Sequence, residues 1–370
     1  MKYFLFTLFF FLSLGHLYGS SDNFIELTID PIRVVRDVHP ERSNSEEVLR
    51  LERAQVVIAD YDLIRRDFPQ ISHLANPEID NWLLNQAAFV SKGQVSQEVV
   101  NSQIPVSSEV REAWRPPNYG RAHVFEATSP VTGEPIGLID AKGTGAIRPM
   151  QLDHANGVAT LGESIREFLY ENLMRRIFQD AELPQRTVGS YAVIDAGFDV
   201  IHPDGSSSPA GLYLRQGHDR VVDHPGAWLP EEKVLKLQAV FRRYGIDPNL
   251  NIQGTRNHLG IFDFGHYVVK DHLDELDPAK AIPFDVWGYD KNITPTGQDI
   301  YKNWFYSKLD NPWNWSHELA EGLREGRADR HSAWLHLRNM LSPVEEKLQL
   351  NLSSSSRQGC ADLVSGIIGQ

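Results

Sequence analysis

The sequence GRAHVFEATSPVTGEPIGLIDAKGTG, at residues 120–145, decides which kind of sheet the chain builds. Apolar and polar residues alternate over 121–127, turn-forming residues fill 129–135, and 136–142 is again mainly apolar. Two such runs around a turn predict a β-hairpin. Lys142 ends the second strand and precedes Gly-Thr-Gly, where glycines let the backbone approach a phosphate closely. The alternative is an ordinary solvated lysine at the end of a strand.

A helix is predicted over residues 161–178, because its apolar side chains form one helical stripe of Ile165, Phe168, Leu169, Leu173, Met174 and Ile177. Glu167 lies elsewhere on this helix, where an inward carboxylate could pair with Lys142 and hold the ammonium group over a nucleotide. The alternative is a surface glutamate that pairs with Arg166 or Arg175.

The rest of the pattern predicts an α+β chain, with strands toward the front and helices toward the back. Residues 91–117 are polar and contain Pro116 and Pro117, which is typical of a connector. Strands are predicted at 24–38, 188–194 and 211–214, and helices at 45–66, 77–90, 230–244, 296–309 and 315–341.

Two oxygen-bearing side chains are candidates for a divalent metal site. Asp263 begins Asp-Phe-Gly after the apolar run at 259–262, and Asn257 lies shortly before it. Magnesium prefers hard oxygen ligands, so an amide and a carboxylate suit it. The alternatives are that Asp-Phe-Gly is only a turn, and that His218 and His224 with their neighbouring aspartates hold a different metal.

Composition and charge narrow the class of protein. The chain has 370 residues, 41% of them apolar, and a formal net charge of −13. No block of Lys or Arg offers the positive surface that nucleic acid requires, so we predict no DNA or RNA partner. The only cysteine is Cys360, so an internal disulfide is excluded.

The first residues predict export. Residues 1–20 have a charged start, a short apolar centre and small residues at a plausible cleavage point, as in a secretory signal peptide. The alternative is a membrane anchor, but the apolar run is shorter than the ~20 residues that span a bilayer. We therefore expect a secreted or periplasmic protein without stable membrane insertion once the signal is removed.

Several strings together resemble the selenoprotein O family of kinase-like proteins. The match is clearest in Lys-Gly-x-Gly from Lys142 and in Ser-Ile-Arg-Glu-Phe-Leu at 164–169. Gly-Arg-Ala at 120–122 and the spacing from Asp263 to Asp271 are similar as well. The resemblance covers about 120–271.

The resemblance implies a bilobal protein-kinase-like fold and an adenylyltransferase activity. Such an enzyme uses ATP, in a flipped orientation, with Mg²⁺ or Mn²⁺ to move AMP onto Ser, Thr or Tyr hydroxyls of an acceptor protein. The implied units are a signal peptide (1–20), an N-terminal extension and connector (21–117), a strand-rich N-lobe (118–224), a helical C-lobe (225–350) and a flexible tail (351–370).

The resemblance also implies roles for individual residues. Lys142 and Glu167 would be the catalytic ion pair, and Asn257 and Asp263 the metal ligands. The residues implied to bind the nucleotide are Gly120, Arg121, Lys142, Gly143 and two arginines on its distal phosphate, Arg215 and Arg220.

One departure from the family keeps other functions open. Arg256 stands where the family has an aspartate, and a guanidinium cannot accept a proton from a hydroxyl. The alternatives are a protein kinase that transfers the γ-phosphate and a catalytically weak nucleotide-binding pseudokinase that acts through a partner.

Overall fold

An eight-stranded antiparallel sheet is the largest element of the structure, which is a computed structural model. The chain is therefore a mixed α+β protein with a large antiparallel sheet and several helices, and the coarse fold class predicted from the sequence is confirmed. The structure describes residues 44–96, 101–116, 120–146, 157–201, 206–218, 229, 231–244, 246–248, 252–255, 259–269 and 314–327.

The strands are numbered along the chain. They are β1 (Asn44–Leu51), β2 (Gln55–Ala59), β3 (Phe89–Ser91), β4 (Val106–Arg115), β5 (Ala122–Thr128), β6 (Pro135–Lys142), β7 (Arg186–Thr187), β8 (Ser190–Ile201), β9 (Ser207–Gln216), β10 (Ile246–Asp247), β11 (Gln253–Gly254), β12 (Gly260–Phe262) and β13 (Val268–Val269). The large sheet has the order β2-β8-β9-β6-β5-β4-β1-β3. The small sheets are β11-β12-β7 and β10-β13.

The helices are numbered in the same way. They are α1 (Tyr61–Asp67), α2 (Asn76–Ala87), α3 (Lys92–Val95), α4 (Leu161–Asp180), α5 (Glu231–Arg243) and α6 (Asn314–Arg324). A short 3₁₀ turn, Phe264–His266, follows β12.

The predicted hairpin is confirmed as β5 and β6. Ala122 pairs with Lys142, and the register continues to Ala127 opposite Gly137. On its other edge β6 pairs with β9, where Lys142 lies opposite Tyr213. Lys142 therefore ends a strand that has neighbours on both sides, so its position is fixed by both hydrogen-bonded ladders.

Helix α4 confirms the helix predicted over 161–178. It begins after Thr160, whose hydroxyl oxygen accepts a hydrogen bond from the Glu163 amide at 3.0 Å. Its residues are buried all round from Leu161 to Met174, rather than along one apolar stripe. The reason is that α4 contacts β8, β9, α6 and the 3₁₀ turn on different sides.

Two predictions from the pattern are wrong. Residues 45–66 do not form one helix, because β1, β2 and most of α1 occupy them and Val48 and Leu51 enter the core through pairing of β1 with β4. Residues 91–117 are not only a connector, since β4 within them belongs to the large sheet. In both cases pairing with distant strands overrides the local pattern.

The other predicted elements divide into those that the structure describes and those that it does not. Strands β8 and β9 confirm those predicted at 188–194 and 211–214, and α2 and α5 match two predicted helices. The predicted signal at 1–20, the strand at 24–38, the helix at 296–309 and the tail at 351–370 lie outside the described residues. Within the described part of the chain, no helix is long and apolar enough to cross a membrane.

Close packing of α4 on β9 leads to a stability prediction. A Cβ atom at Gly211 would lie 2.6 Å from the Leu161 Cα atom of α4, so Gly211→Ala must push helix and strand apart. We expect a loss of about 2 kcal/mol in the free energy of unfolding, measured with urea. Gly93→Ala is the control, since its nearest contact would be the Ser91 hydroxyl at 3.7 Å. Equal stability of G211A and wild type would contradict this packing.

Candidate functional site

Lys142 and Glu167 form a buried ion pair between β6 and α4. The Lys142 Nζ atom lies 2.6 Å from Glu167 Oε2. Glu167 is 0% exposed, and the Lys142 side chain keeps 13% of its surface in solvent. The inward pairing expected from the sequence is therefore present, and the alternative of a surface glutamate is excluded.

Asp263 reaches the same place from the turn after β12. Its backbone has φ 63° and ψ 55°, the left-handed region that a residue other than glycine rarely adopts. Its Oδ1 atom lies 3.6 Å from Lys142 Nζ and 2.8 Å from Arg215 Nη1. The Gly265 carbonyl accepts a 2.6 Å hydrogen bond from Arg166 Nε, which ties the Asp-Phe-Gly segment to α4. The segments that contain Lys142, Glu167 and Asp263, which are far apart in the sequence, thus lie together at one site.

Arg215, near the end of β9, lies among carboxylates. Its Nη1 atom is 3.3 Å from Glu167 Oε1, and its Nε atom is 3.5 Å from Asp140 Oδ2 on the neighbouring strand. The side chain is 1% exposed. Burial disfavours the charged guanidinium, but Asp140, Asp263 and Glu167 raise its pKa well above the ordinary value. Its predicted role on a distal phosphate stays a prediction.

The Gly-Arg segment before β5 lies beside this site. Arg121 forms a buried, bidentate ion pair with Glu163 of α4, and its Nη1 atom donates to the Val158 carbonyl at 2.7 Å. The Gly143 amide donates to the Arg121 carbonyl at 2.9 Å, and Gly143 has φ +94°. Arg121 and Gly143 thus lie next to Lys142, while their roles in nucleotide binding stay predictions.

Glu163 and Glu167 of α4 differ in their electrostatics. Burial would raise the pKa of Glu163, but Arg121 and Lys142 outweigh burial and lower it well below its ordinary value. Burial raises the pKa of Glu167, and repulsion from Asp263 adds to burial against the attraction of Lys142 and Arg215. Glu167 is therefore the carboxylate whose negative charge is balanced less completely.

Carboxylate oxygens suited to a divalent ion lie together here. Glu167 and Asp263 both contact the Nη1 atom of Arg215, and hard oxygens are what Mg²⁺ and Mn²⁺ prefer. In the ranges described, no group of three or more His, Cys, Asp or Glu side chains is arranged to hold a metal. Asn257, Arg256 and Arg220 lie outside those ranges. An ion at Asp263 would have to compete with Arg215.

Sequence reasoning missed Asp140 and Glu163 as members of this cluster. Asp140 lies two residues before Lys142 on β6, and alternate residues of a strand share a face. Glu163 lies one helical turn before Glu167. Both residues could therefore have been predicted from their spacing to Lys142 and Glu167. His218, which the sequence offered only for the alternative metal site, follows β9, and its Nδ1 atom lies 3.4 Å from Asp140 Oδ2.

Comparison with known proteins does not assign a family. No protein-family model matches the sequence, and a search of curated proteins found no match. The resemblance to the selenoprotein O family therefore stays a prediction that depends on the quoted strings.

The low pKa of Glu163 leads to a prediction of pH dependence. Because its pKa is lower in the folded than in the unfolded protein, Glu163 contributes stability above about pH 4.5, and this is lost as the pH falls further. Wild type should lose about 1 kcal/mol more than Glu163→Gln between pH 5 and pH 3.5 in urea unfolding.

The control for this comparison is Glu109→Gln. Glu109 forms a half-exposed pair with Arg50 at 3.2 Å, so this variant should follow the wild-type curve. Glu167 is present in every protein, but Glu163 is one of the groups that raise its pKa. E163Q therefore reduces that shift, which makes the difference between the two curves smaller. Parallel curves for E163Q and wild type would show that the buried pair with Arg121 does not lower this pKa.

Proposed function

We propose that the protein is an ATP-dependent protein adenylyltransferase of kinase-like fold, which transfers AMP to Ser, Thr or Tyr hydroxyls of an acceptor protein. The observation that carries this proposal is the position of Lys142 Nζ, 2.6 Å from Glu167 and 3.6 Å from Asp263. An ammonium group, a carboxylate that fixes it and a second carboxylate for a metal are what a bound triphosphate requires.

The elements that supply these residues support a kinase-like fold. In protein kinases a strand lysine pairs with a helix glutamate, and the aspartate of Asp-Phe-Gly holds magnesium. Here Lys142 lies on β6, Glu167 on α4 and Asp263 in the turn after β12. In the bilobal arrangement that we propose, strands β5, β6, β8 and β9 with α4 belong to the N-lobe.

The proposed reaction is a single displacement at the α-phosphorus of ATP. The acceptor oxygen bonds to that phosphorus, the bond from the phosphorus to the bridging oxygen of the β-phosphate breaks, and pyrophosphate leaves. The hydroxyl proton passes to solvent or to a base on the acceptor, since Arg256 cannot accept it. Transfer of AMP rather than phosphate rests on the resemblance to the selenoprotein O family.

Bound Mg²⁺ or Mn²⁺ would neutralise charge that develops on the phosphates. Asp263 is the described residue that would hold it, with Asn257 as the second proposed ligand. Lys142 would bind phosphate oxygens while Glu167 keeps its ammonium group in place. We also propose that the protein is exported, directed by the signal peptide predicted at residues 1–20.

A binding-only pseudokinase is the second candidate, and one contact favours it. Arg215 Nη1 lies 2.8 Å from Asp263 Oδ1, so the proposed metal ligand already has a cationic partner. A protein of this kind would bind ATP and act through its partner without a covalent product. Among the described residues, no contact favours transfer of the γ-phosphate, the remaining alternative, over transfer of AMP.

Parallel incubation with α-labelled and γ-labelled ATP tests the proposal. Wild type with Mg²⁺ or Mn²⁺ should transfer the α-label to protein, and Lys142→Ala and Asp263→Asn should each lower transfer about 100-fold or more. Lys236→Ala is the control, because Lys236 forms an exposed pair with Glu232 on α5.

Each other outcome has a definite meaning. Label only from γ-labelled ATP would establish phosphotransfer, and ATP binding without covalent label would establish the pseudokinase. Undiminished transfer of the α-label in both K142A and D263N would reject the site.

A further inference from the structure

A second buried charge cluster lies on the other side of the Lys142 strand. Arg115 is 1% exposed at the end of β4, and both oxygens of Glu46 on β1 accept from it, at 2.7 Å from Nε and 3.0 Å from Nη2. A bidentate pair of this kind fixes the plane of the guanidinium. Glu46 thus neutralises and orients Arg115, which has no role in the site described above.

The guanidinium of Arg115 bridges two glycine segments. Its Nη1 atom donates to the Gly120 carbonyl at 2.9 Å, and its Nη2 atom donates to the Gly145 carbonyl at 3.1 Å. Gly120 precedes β5 and Gly145 follows β6. One side chain therefore holds the backbone just before the hairpin and just after Lys142.

A histidine extends the contact to the residue between the glycines. His123 is 0% exposed, and its Nδ1 atom lies 2.7 Å from Thr144 Oγ1. Burial lowers its pKa, so the ring is neutral near pH 7. In one tautomer Nδ1–H donates to Thr144, and Nε2 shares the two hydrogens of Arg115 Nη2 with Glu46 and the Gly145 carbonyl. In the other, Thr144 donates to Nδ1 and Nε2–H donates to Glu46.

The loop at residues 143–145 contains two glycines, so contacts from other strands are needed to hold its backbone in one conformation. The φ angles of these glycines are +94° and +125°, and glycine loses more conformational freedom on ordering than other residues. The loop is also held by the Ser91 amide, which donates to the Thr144 carbonyl at 2.7 Å. Contacts from Ser91 of β3, Arg115 of β4 and His123 of β5 thus meet at the loop that follows Lys142.

We propose that Glu46, Arg115, His123 and Thr144, the Arg115 cluster, are positioning residues that hold the backbone on both sides of Lys142 in the geometry that binds ATP phosphates. This inference rests on the proposed function and extends it to strands β1 and β4. The Arg115 cluster acts through the loop and touches no reacting atom. Its loss should weaken nucleotide binding more than it slows transfer at saturating ATP.

The test uses Thr144, where a variant of nearly equal volume removes only the hydroxyl. Thr144→Val should raise the Kd for Mg·ATP, measured by titration calorimetry, about tenfold, because a buried hydrogen bond to His123 is lost. At saturating ATP its rate of label transfer should stay within about twofold of wild type. Thr144→Ser keeps the hydroxyl and should restore the wild-type affinity.

A second pair of variants tests the ion pair. Glu46→Gln should also raise the Kd about tenfold, since Arg115 loses its charged partner. Glu47→Gln is the matched control on the same strand, because Glu47 pairs with Lys92 on the surface with 55% of its side chain exposed. Glu47→Gln should bind Mg·ATP as wild type does.

Amide hydrogen exchange separates this inference from the proposed function. The Gly143 and Gly145 amides donate to the Arg121 and Gly157 carbonyls, so T144V should exchange about tenfold faster there than T144S. Unchanged exchange together with unchanged Kd in T144V and E46Q would overturn the inference. If wild type itself bound no ATP, the proposed function would fail, while the exchange comparison would still decide whether the Arg115 cluster holds the loop.

Discussion

The buried contact between Lys142 and Glu167 is the interaction on which the arrangement of the site depends. A carboxylate with no exposed surface is costly unless cations stand against it, and Lys142 and Arg215 reach it from neighbouring strands. For that contact to form, α4 must lie close on the sheet, and Gly211 of β9 provides the space. The fold therefore places a helix where its charge can meet the end of a strand.

Positive and negative groups around this contact form one connected set. Glu163 pairs with Arg121, Asp263 pairs with Arg215, and Lys142 lies within 4 Å of a carboxylate from each pair. Each of these carboxylates already pairs with a cation. A polyphosphate or a metal ion can therefore bind here only by replacing one of the present ion-pair partners.

The sequence predicted the parts of the site that have local signals. The β5–β6 hairpin alternates, α4 has a helical stripe, and the order of lysine, glutamate and aspartate indicated one site. It could not predict that 45–66 contains strands or that β4 joins the sheet, because pairing with distant residues decides both. The ion pair from Arg215 to Asp263 also depends on the register of β6 with β9 and on the left-handed backbone at Asp263, which no local pattern specifies.

The most direct measurement is a double-mutant cycle on the buried pair, read as the affinity for Mg·ATP by titration calorimetry. Wild type should bind, and Lys142→Met and Glu167→Gln should each weaken binding. The double variant should be no weaker than K142M alone, because the glutamate acts only by holding the lysine. Strictly additive losses, or no ATP binding by the wild-type protein, would contradict the view that Lys142 and Glu167 form one nucleotide-binding unit.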